Sequence, residues 1–317
     1  MPNESAETDW RPLVIAEWAA LEPLRPVVPG APWERLVQVG VPSAERLAAI
    51  EDSGGIPVID PVEEARRVEP GRSGPADAAG ALAALDSGIA AVRSGLAAAL
   101  VTAPVSKASI ALHVRADFRG HTEYLALACG LERYGRDYLM AFLGGDLQVA
   151  LLSTHLPLAE AIAGVRRQAI EEALACLARH AGGRIAVAGL NPHAGEGGLI
   201  GGEERTEIAP AVESVRGEGV DAHGPESPDS LFARARRGEF DWVLALYHDQ
   251  GLVAVKTAAF GSATNWTLGL PFLRTSVDHG TAFEIAGSGR ADATPLAGVI
   301  ETTLGFLRGR LPRRTGC

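Results

Sequence analysis

Six short apolar runs, each closed by a polar or glycine-rich segment, constrain this chain more than any other feature. They are PLVIA (12–16), AALVTA (98–103), YLMAFL (138–143), QVALLS (148–153), RIAVAGL (184–190) and WVLALY (242–247). Continuous apolar runs of this length suit strands covered on both faces. Stretches of helical period lie between them. Leu82, Leu85, Ile89, Val92 and Leu96 recur at spacings of three and four after Pro75 and around Gly95. Ile170, Leu174, Leu177 and Ala181 repeat the pattern and stop at Gly182-Gly183, a helix-ending signal. A last helix opens near Pro295 and carries Leu296, Val299, Ile300, Thr303 and Leu307. Alternation of strand and helix predicts an α/β fold, with a mainly parallel sheet and helices on both faces. Over residues 1–75, Pro23, Pro26, Pro29, Pro32 and Gly30 break the pattern, and no clear element order emerges beyond the first run.

Composition narrows the class. A chain of 317 residues is expected to form one or two domains, and 47% hydrophobic residues can fill a substantial core. The formal net charge of −10 argues against a nucleic-acid binder, though a local basic cluster can still take an anionic substrate. No uncharged apolar run reaches the roughly 18 residues of a membrane helix. The opening MPNESAETDW carries acids and no apolar stretch of the secretory kind. Cys129, Cys176 and Cys317 form no CxxC pair, which fits a reducing compartment. A soluble cytoplasmic protein is expected.

Three histidines follow predicted strand ends: His155 after QVALLST, His193 after IAVAGLNP and His248 after WVLALY. In open parallel sheets the ligand crevice lies outside the carboxyl ends of the strands. Three strands thus deliver imidazoles to one sheet edge, and three protein ligands suit a divalent cation with open positions. A hydrogen-bonded loop histidine is the ordinary role of any one alone. Between them, NPHAGEGGLIGGEE (191–204) offers Gly195, Gly197, Gly198, Gly201 and Gly202 for close backbone approach, and Glu203 and Glu204 to open a helix. GHTEYLALA (120–128) reads as a loop entering a helix, where His121 and Thr122 add donors to a terminus that suits phosphate; plain capping by Thr122 is the alternative. Lys256 and Arg274 stand out in apolar settings as partners for a phosphate or carboxylate, with a surface ion pair as the default. Asp229 is a candidate acid, base or metal-shell carboxylate, or a helix cap.

Together, TAPVSK (102–107), GHTEYLA (120–126), STHLPL (153–158), LNPHAGEGG (190–198), YHDQGL (247–252) and NWTLGLPFLRTSVDHGTAFEIAG (265–287) resemble the 4-hydroxythreonine-4-phosphate dehydrogenase family of vitamin B6 biosynthesis. The resemblance implies two interleaved α/β/α subdomains around a cleft, as in isocitrate and isopropylmalate dehydrogenases. Residues 1–104 plus 257–317 would form the cofactor side and 105–256 the metal and substrate side. It further implies a homodimer whose site is shared across the interface. His155, His193 and His248 would bind a divalent metal (zinc, cobalt, magnesium or manganese). His121, Thr122, Lys256, Asn265 and Arg274 would hold the small phosphorylated substrate. HGTAFEIAGSGRAD (279–292) is similar to the NAD-binding loop of isopropylmalate dehydrogenases, so His279, Glu284 and Asp292 would approach NAD or NADP. Lys107 or Asp229 would relay protons. The implied chemistry is metal-assisted hydride transfer, giving a β-keto acid that loses carbon dioxide.

The family's opening strand and G-D-P-A-G-I-G-P-E loop have no counterpart here, and RPLVIAEWAALEPL (11–24) resembles the family's second strand and the helix after it. A misassigned start is expected, since a missing parallel strand would expose a sheet edge. The competing functions are a catalytically impaired metabolite-binding relative and a metal-dependent hydrolase. A phosphorylated threonate or erythronate is a close substrate variant. Some relatives oxidise aromatic dihydrodiol dicarboxylates, against which Thr122, Lys256 and Arg274 argue.

Overall fold

The structure, a computed structural model, describes residues 10–62 and 66–310. Cys317 and nearly all of the opening segment used to judge a secretory signal lie outside the described residues. Two compact units emerge, each discontinuous in sequence.

The smaller unit runs to residue 120, apart from 101–103, and returns at 280–293. It contains β1 (Val14–Ile15), α1 (Trp18–Leu21), β2 (Leu36–Val39), α2 (Ala44–Asp52), β3 (Ile56–Ile59), α3 (Pro75–Arg93), the start of β4 (Ala99–Thr102) and α4 (Lys107–His113). β1, β3 and β2 form a parallel three-stranded sheet with β3 in the middle. β2 and β3 carry only four residues each, and Pro57 sits inside the central strand, so neither announces itself in the sequence. α3 obeys its sequence signals. Pro75 takes the first turn, the Asp77 carboxylate accepts the Gly74 amide at 2.8 Å, and Leu82, Leu85 and Ile89 are buried. The buried Glu17 accepts two bonds from Arg66, at 2.7 and 2.8 Å, and Arg66 also pairs with Asp77 at 2.6 Å.

The larger unit holds 101–103, 121–279 and 294 onward. Its elements are α5 (His121–Ala128), β5 (Leu139–Gly144), β6 (Leu147–Leu151), α6 (Leu158–Ala163), α7 (Arg167–His180), β7 (Ile185–Ala188), α8 (Ala209–Gly217), β8 (Ala222–Glu226), α9 (Pro228–Arg236), β9 (Trp242–Ala245), α10 (His248–Ala258), β10 (Thr264–Leu268), β11 (Leu273–Val277) and α11 (Thr294–Leu307). The main sheet has the order β4-β11-β10-β5-β6-β9-β7-β8. Residues 257–279 fall within this unit because β10 and β11 ladder onto β5.

β5, β6, β7 and β9 are buried throughout, as continuous apolar runs demand. Alternate residues serve opposite faces. Leu139, Leu143, Ile185 and Leu244 pack with Ile170, Leu174 and Leu177 of α7 and Val212 and Val215 of α8. Met140, Phe142, Val149 and Val243 pack with Leu231 of α9 and Leu252 and Val255 of α10.

The expectation of a mainly parallel sheet holds for β6-β9-β7-β8 and needs correction on the other side. There β5-β6, β5-β10 and β10-β11 are antiparallel. The links decide this. Two residues, Gly145 and Asp146, join β5 to β6, with Gly145 at φ +60, too short for a crossover helix. β10 turns into β11 at Gly269, φ +94, where a Cβ would collide with the Asp137 carbonyl oxygen. Among the described residues no helix is long and apolar enough to cross a membrane.

Candidate active site

The carboxyl ends of the neighbouring parallel strands β6, β9 and β7 lead to His155, His248 and His193. His248 opens α10, and His193 sits in the tight turn Pro192–Gly198. The His155 and His248 rings lie 5.3 Å apart between centroids. Two imidazoles on one tetrahedral cation, at about 2.0–2.1 Å per bond, place their centroids roughly 5 Å apart, so this pair fits two corners of such a site. The His248 Nδ1 lies 2.7 Å from the Asp249 carboxylate, which leaves Nε2 for a ligand. His193 keeps different company: its Nδ1 is 3.7 Å from Asp229. Asp229 stands in the first turn of α9 and accepts the Ser227 hydroxyl at 2.8 Å. Among the described residues, no group of three His, Cys, Asp or Glu side chains forms a ready metal cage. One chain thus presents two pairs, His155 with His248 and His193 with Asp229.

The turn bearing His193 is strained. Five successive residues, His193 to Gly197, take left-handed backbone angles, with φ of 52, 52, 78, 44 and 67°. Three are not glycine, and each such residue costs on the order of 1–2 kcal/mol. The glycines of this loop were legible in the sequence; the left-handed His193, Ala194 and Glu196 were not. Neither was the element that holds them. Glu204, read from sequence as a helix-opening carboxylate, is buried and folds back onto the loop. It accepts the Leu190 and Asn191 amides at 2.8 and 2.6 Å and the Asn191 side-chain amide at 2.9 Å.

On the antiparallel side, β10 and β11 bring Asn265 and Arg274 together. Asn265 and Thr267 share a face of β10, and the Arg274 guanidinium meets the Thr267 hydroxyl at 3.0 Å and the Thr102 hydroxyl at 2.7 Å. Arg274 is 1% exposed and has no carboxylate in an ion pair among the described residues. Burial pushes its pKa down to about 10, with the charge of Glu123 on α5 opposing. Three buried side-chain polar atoms lack a partner among the described residues, and two of them are Asn265 Oδ1 and Arg274 Nε. An unspent acceptor and an unspent donor on one sheet face mark a ligand position better than either residue's identity does.

α10 supplies the rest. His248, Asp249, Leu252, Lys256, Thr257 and Phe260 line one concave surface, so Lys256 shares it with His248. Lys256 Nζ donates to the Asp278 carbonyl at 3.3 Å. His121 opens α5, and Thr122 beside it is buried. His279 is exposed at the end of the larger unit's middle segment. Lys107, Glu284 and Asp292 belong to the smaller unit and are exposed.

The α/β sheet thus places a pair of imidazoles beyond the carboxyl ends of its parallel strands and a buried guanidinium on its antiparallel strands. Residues 12–303 match the model of the family described as pyridoxal phosphate biosynthetic protein PdxA. The chain belongs to that family. It is 44% identical over 301 residues to 4-hydroxythreonine-4-phosphate dehydrogenase of Acidithiobacillus ferrooxidans, covering 93% of this chain and 84% of the relative. It is 44% identical over 303 residues to the enzyme of that name from Aromatoleum aromaticum, covering 91% and 90%. The crystal structure of 4-hydroxythreonine-4-phosphate dehydrogenase from Klebsiella pneumoniae superposes with a TM-score of 0.80 at 32% identity, covering 92% of this chain and 89% of that one.

Proposed function

We propose that this chain is a nicotinamide-dependent dehydrogenase that oxidises the hydroxyl of 4-phosphohydroxy-L-threonine to a β-keto acid, which then loses carbon dioxide. Family membership supports the reaction class, and one observation carries the substrate side: the unspent Arg274 donor and Asn265 acceptor on one buried sheet face. A phosphorylated amino acid brings both an anion and N–H or O–H donors to that face. Lys256 and the α5 terminus, through His121 and Thr122, add cationic and hydrogen-bonding contacts to the same ligand.

The paired rings of His155 and His248 suit a divalent cation, and we assign His193 to the same ligand set, completed across a homodimer in the cytoplasm. Such a cation, zinc or cobalt on the preference of imidazole donors, would supply positive charge at the hydroxyl being oxidised. NAD or NADP would accept the hydride, with His279, Glu284 and Asp292 against its adenosine part. Asp249 holds the His248 ring with Nε2 outward. Asp229 is the better candidate to accept the hydroxyl proton, because it already faces His193; Lys107 is the second.

The test is to incubate zinc- or cobalt-loaded protein with 4-phosphohydroxy-L-threonine and NAD or NADP and to follow the absorbance of reduced cofactor. Metal-dependent reduction is expected, and His193→Ala should abolish metal uptake and turnover together. Tight substrate binding without reduced cofactor would identify a metabolite-binding relative. Release of inorganic phosphate instead would identify a hydrolase.

A further inference from the structure

Three side-chain-to-backbone hydrogen bonds run across the sheet edge that bears the histidines. The Ser153 hydroxyl, two residues before His155, donates to the Leu246 carbonyl at 2.9 Å and is buried. The amide of Leu246, two residues before His248, donates to Gln250 Oε1 at 2.7 Å. Gln250 Nε2 donates to the Gly189 carbonyl at 2.8 Å, four residues before His193. Both polar groups of the Leu246 peptide are thereby spent, and the ends of β6, β9 and β7 are strung in one line.

The chemistry of the middle link is selective. Its side chain must accept from an N–H on one side and donate to a carbonyl on the other. A carboxamide does both at this length, whereas an ionised glutamate would accept from Leu246 and repel the Gly189 oxygen. Gln250 is in the first turn of α10, where a carboxylate would otherwise be favoured by the helix dipole. Glutamine in that place indicates that the donated bond matters more than the dipole.

We propose that Gln250, assisted by Ser153, is a positioning residue that sets the spacing of His155, His193 and His248. Both side chains are committed to backbone groups of the loop ends. Each acts through the loop ends it ties, and without the strap the strained His193 turn and the start of α10 lose their common reference. The inference rests on the metal-centred reading above, and its test separates the two.

The full chain is titrated with cobalt(II), and affinity and the visible absorption bands of the bound ion are read for wild type, Gln250→Glu, Gln250→Met and Ser153→Ala. Tyr134→Phe serves as control, because the Tyr134 hydroxyl donates to the Leu151 carbonyl at 2.7 Å without linking loop ends. Gln250→Glu and Gln250→Met are expected to weaken cobalt binding roughly tenfold and to alter the bands. Turnover should fall while the KM for the phosphorylated substrate stays put, since Asn265, Lys256 and Arg274 are untouched. Tyr134→Phe should lower the unfolding midpoint and leave cobalt affinity unchanged. Side-chain 15N resonances of the three histidines, recorded without metal at one pH, should move in Gln250→Glu and not in Tyr134→Phe. Unmoved resonances, or equal losses in Gln250→Glu and Tyr134→Phe, overturn the positioning role. A wild type that binds no cobalt, with resonances that still move in Gln250→Glu, overturns the metal reading and leaves the strap standing. Should Gln250→Met fail to fold, Ser153→Ala, which removes a single link, carries the same arms.

Discussion

Replacing Arg274 with methionine exchanges a sealed guanidinium for an uncharged chain of similar length. Burial lowers the pKa of this group to about 10, and at about 1.4 kcal/mol per pH unit, keeping it charged inside the protein costs roughly 3 kcal/mol. The bonds to Thr267 and Thr102 return about 1 kcal/mol each. Because the buried Thr267 and Thr102 hydroxyls lose that donor as well, Arg274→Met is expected to change the stability of the ligand-free chain by no more than about 1 kcal/mol, a shift of roughly 2 °C in the unfolding midpoint. The same change removes the charge that an anion would meet, and KM for the phosphorylated substrate should rise at least about 100-fold. Thermal unfolding with and without inorganic phosphate reads both halves. Phosphate should stabilise wild type by an amount that rises with the logarithm of its concentration above Kd and leave the variant unmoved. A variant that unfolds several degrees lower and responds to phosphate like wild type would refute the reasoning. It would make Arg274 a structural strut with no claim on a ligand.

Glu204→Gln should cost about 2–3 kcal/mol, because the carboxylate accepts two backbone amides while buried, and chemical denaturation measures the loss. The Cys176 thiol, pushed by burial up to about 11, should stay inert to an aromatic disulfide at pH 8 until the protein is unfolded. Asp77 titrates below the usual carboxylate range: burial raises it, and the Gly74 amide and Arg66 outweigh burial. Its stabilisation is present above the ordinary value of 3.8 and is lost as pH falls through the lower folded-state value. Asp77→Asn should lower stability at neutral pH and flatten the acid limb of a stability–pH curve.

How much could be read beforehand depended on where burial leaves a mark in composition. β5, β6, β7 and β9 are covered on both faces, so each appears as an unbroken apolar run, and the histidines that follow three of them were legible by position. α3 and α7 carry their own punctuation in Pro75, Asp77 and Gly182-Gly183. β10 and β11 were hidden because their interior is polar: Thr264, Asn265, Thr267, Arg274, Thr275 and Ser276 interrupt any apolar run, with Arg274 bonded to Thr267 across the strands and Thr264 and Thr275 bonded to Thr302 and Thr303 of α11. β2 and β3 were hidden by brevity and by Pro57. Glu204 does open the helical segment Glu204–Ile208 that runs into α8, as read, but its burial and its bonds back to the loop left no mark in the sequence. Its burial follows from the amides of Leu190 and Asn191, fourteen and thirteen residues away.

What the sequence by itself determined was local: the period of each segment, the positions where the backbone must turn, and six ordered motifs sufficient for the family. Those depend on neighbours a few residues apart, where sterics and capping act. Only the tertiary structure decided partnership. It put His155 beside His248 and His193 beside Asp229, sealed Arg274 without a carboxylate, and drew Ser153, Leu246, Gln250 and Gly189 into one line. Hydrogen bonds and desolvation fall off within a few ångströms, so their meaning rests on which distant residues the fold brings into reach.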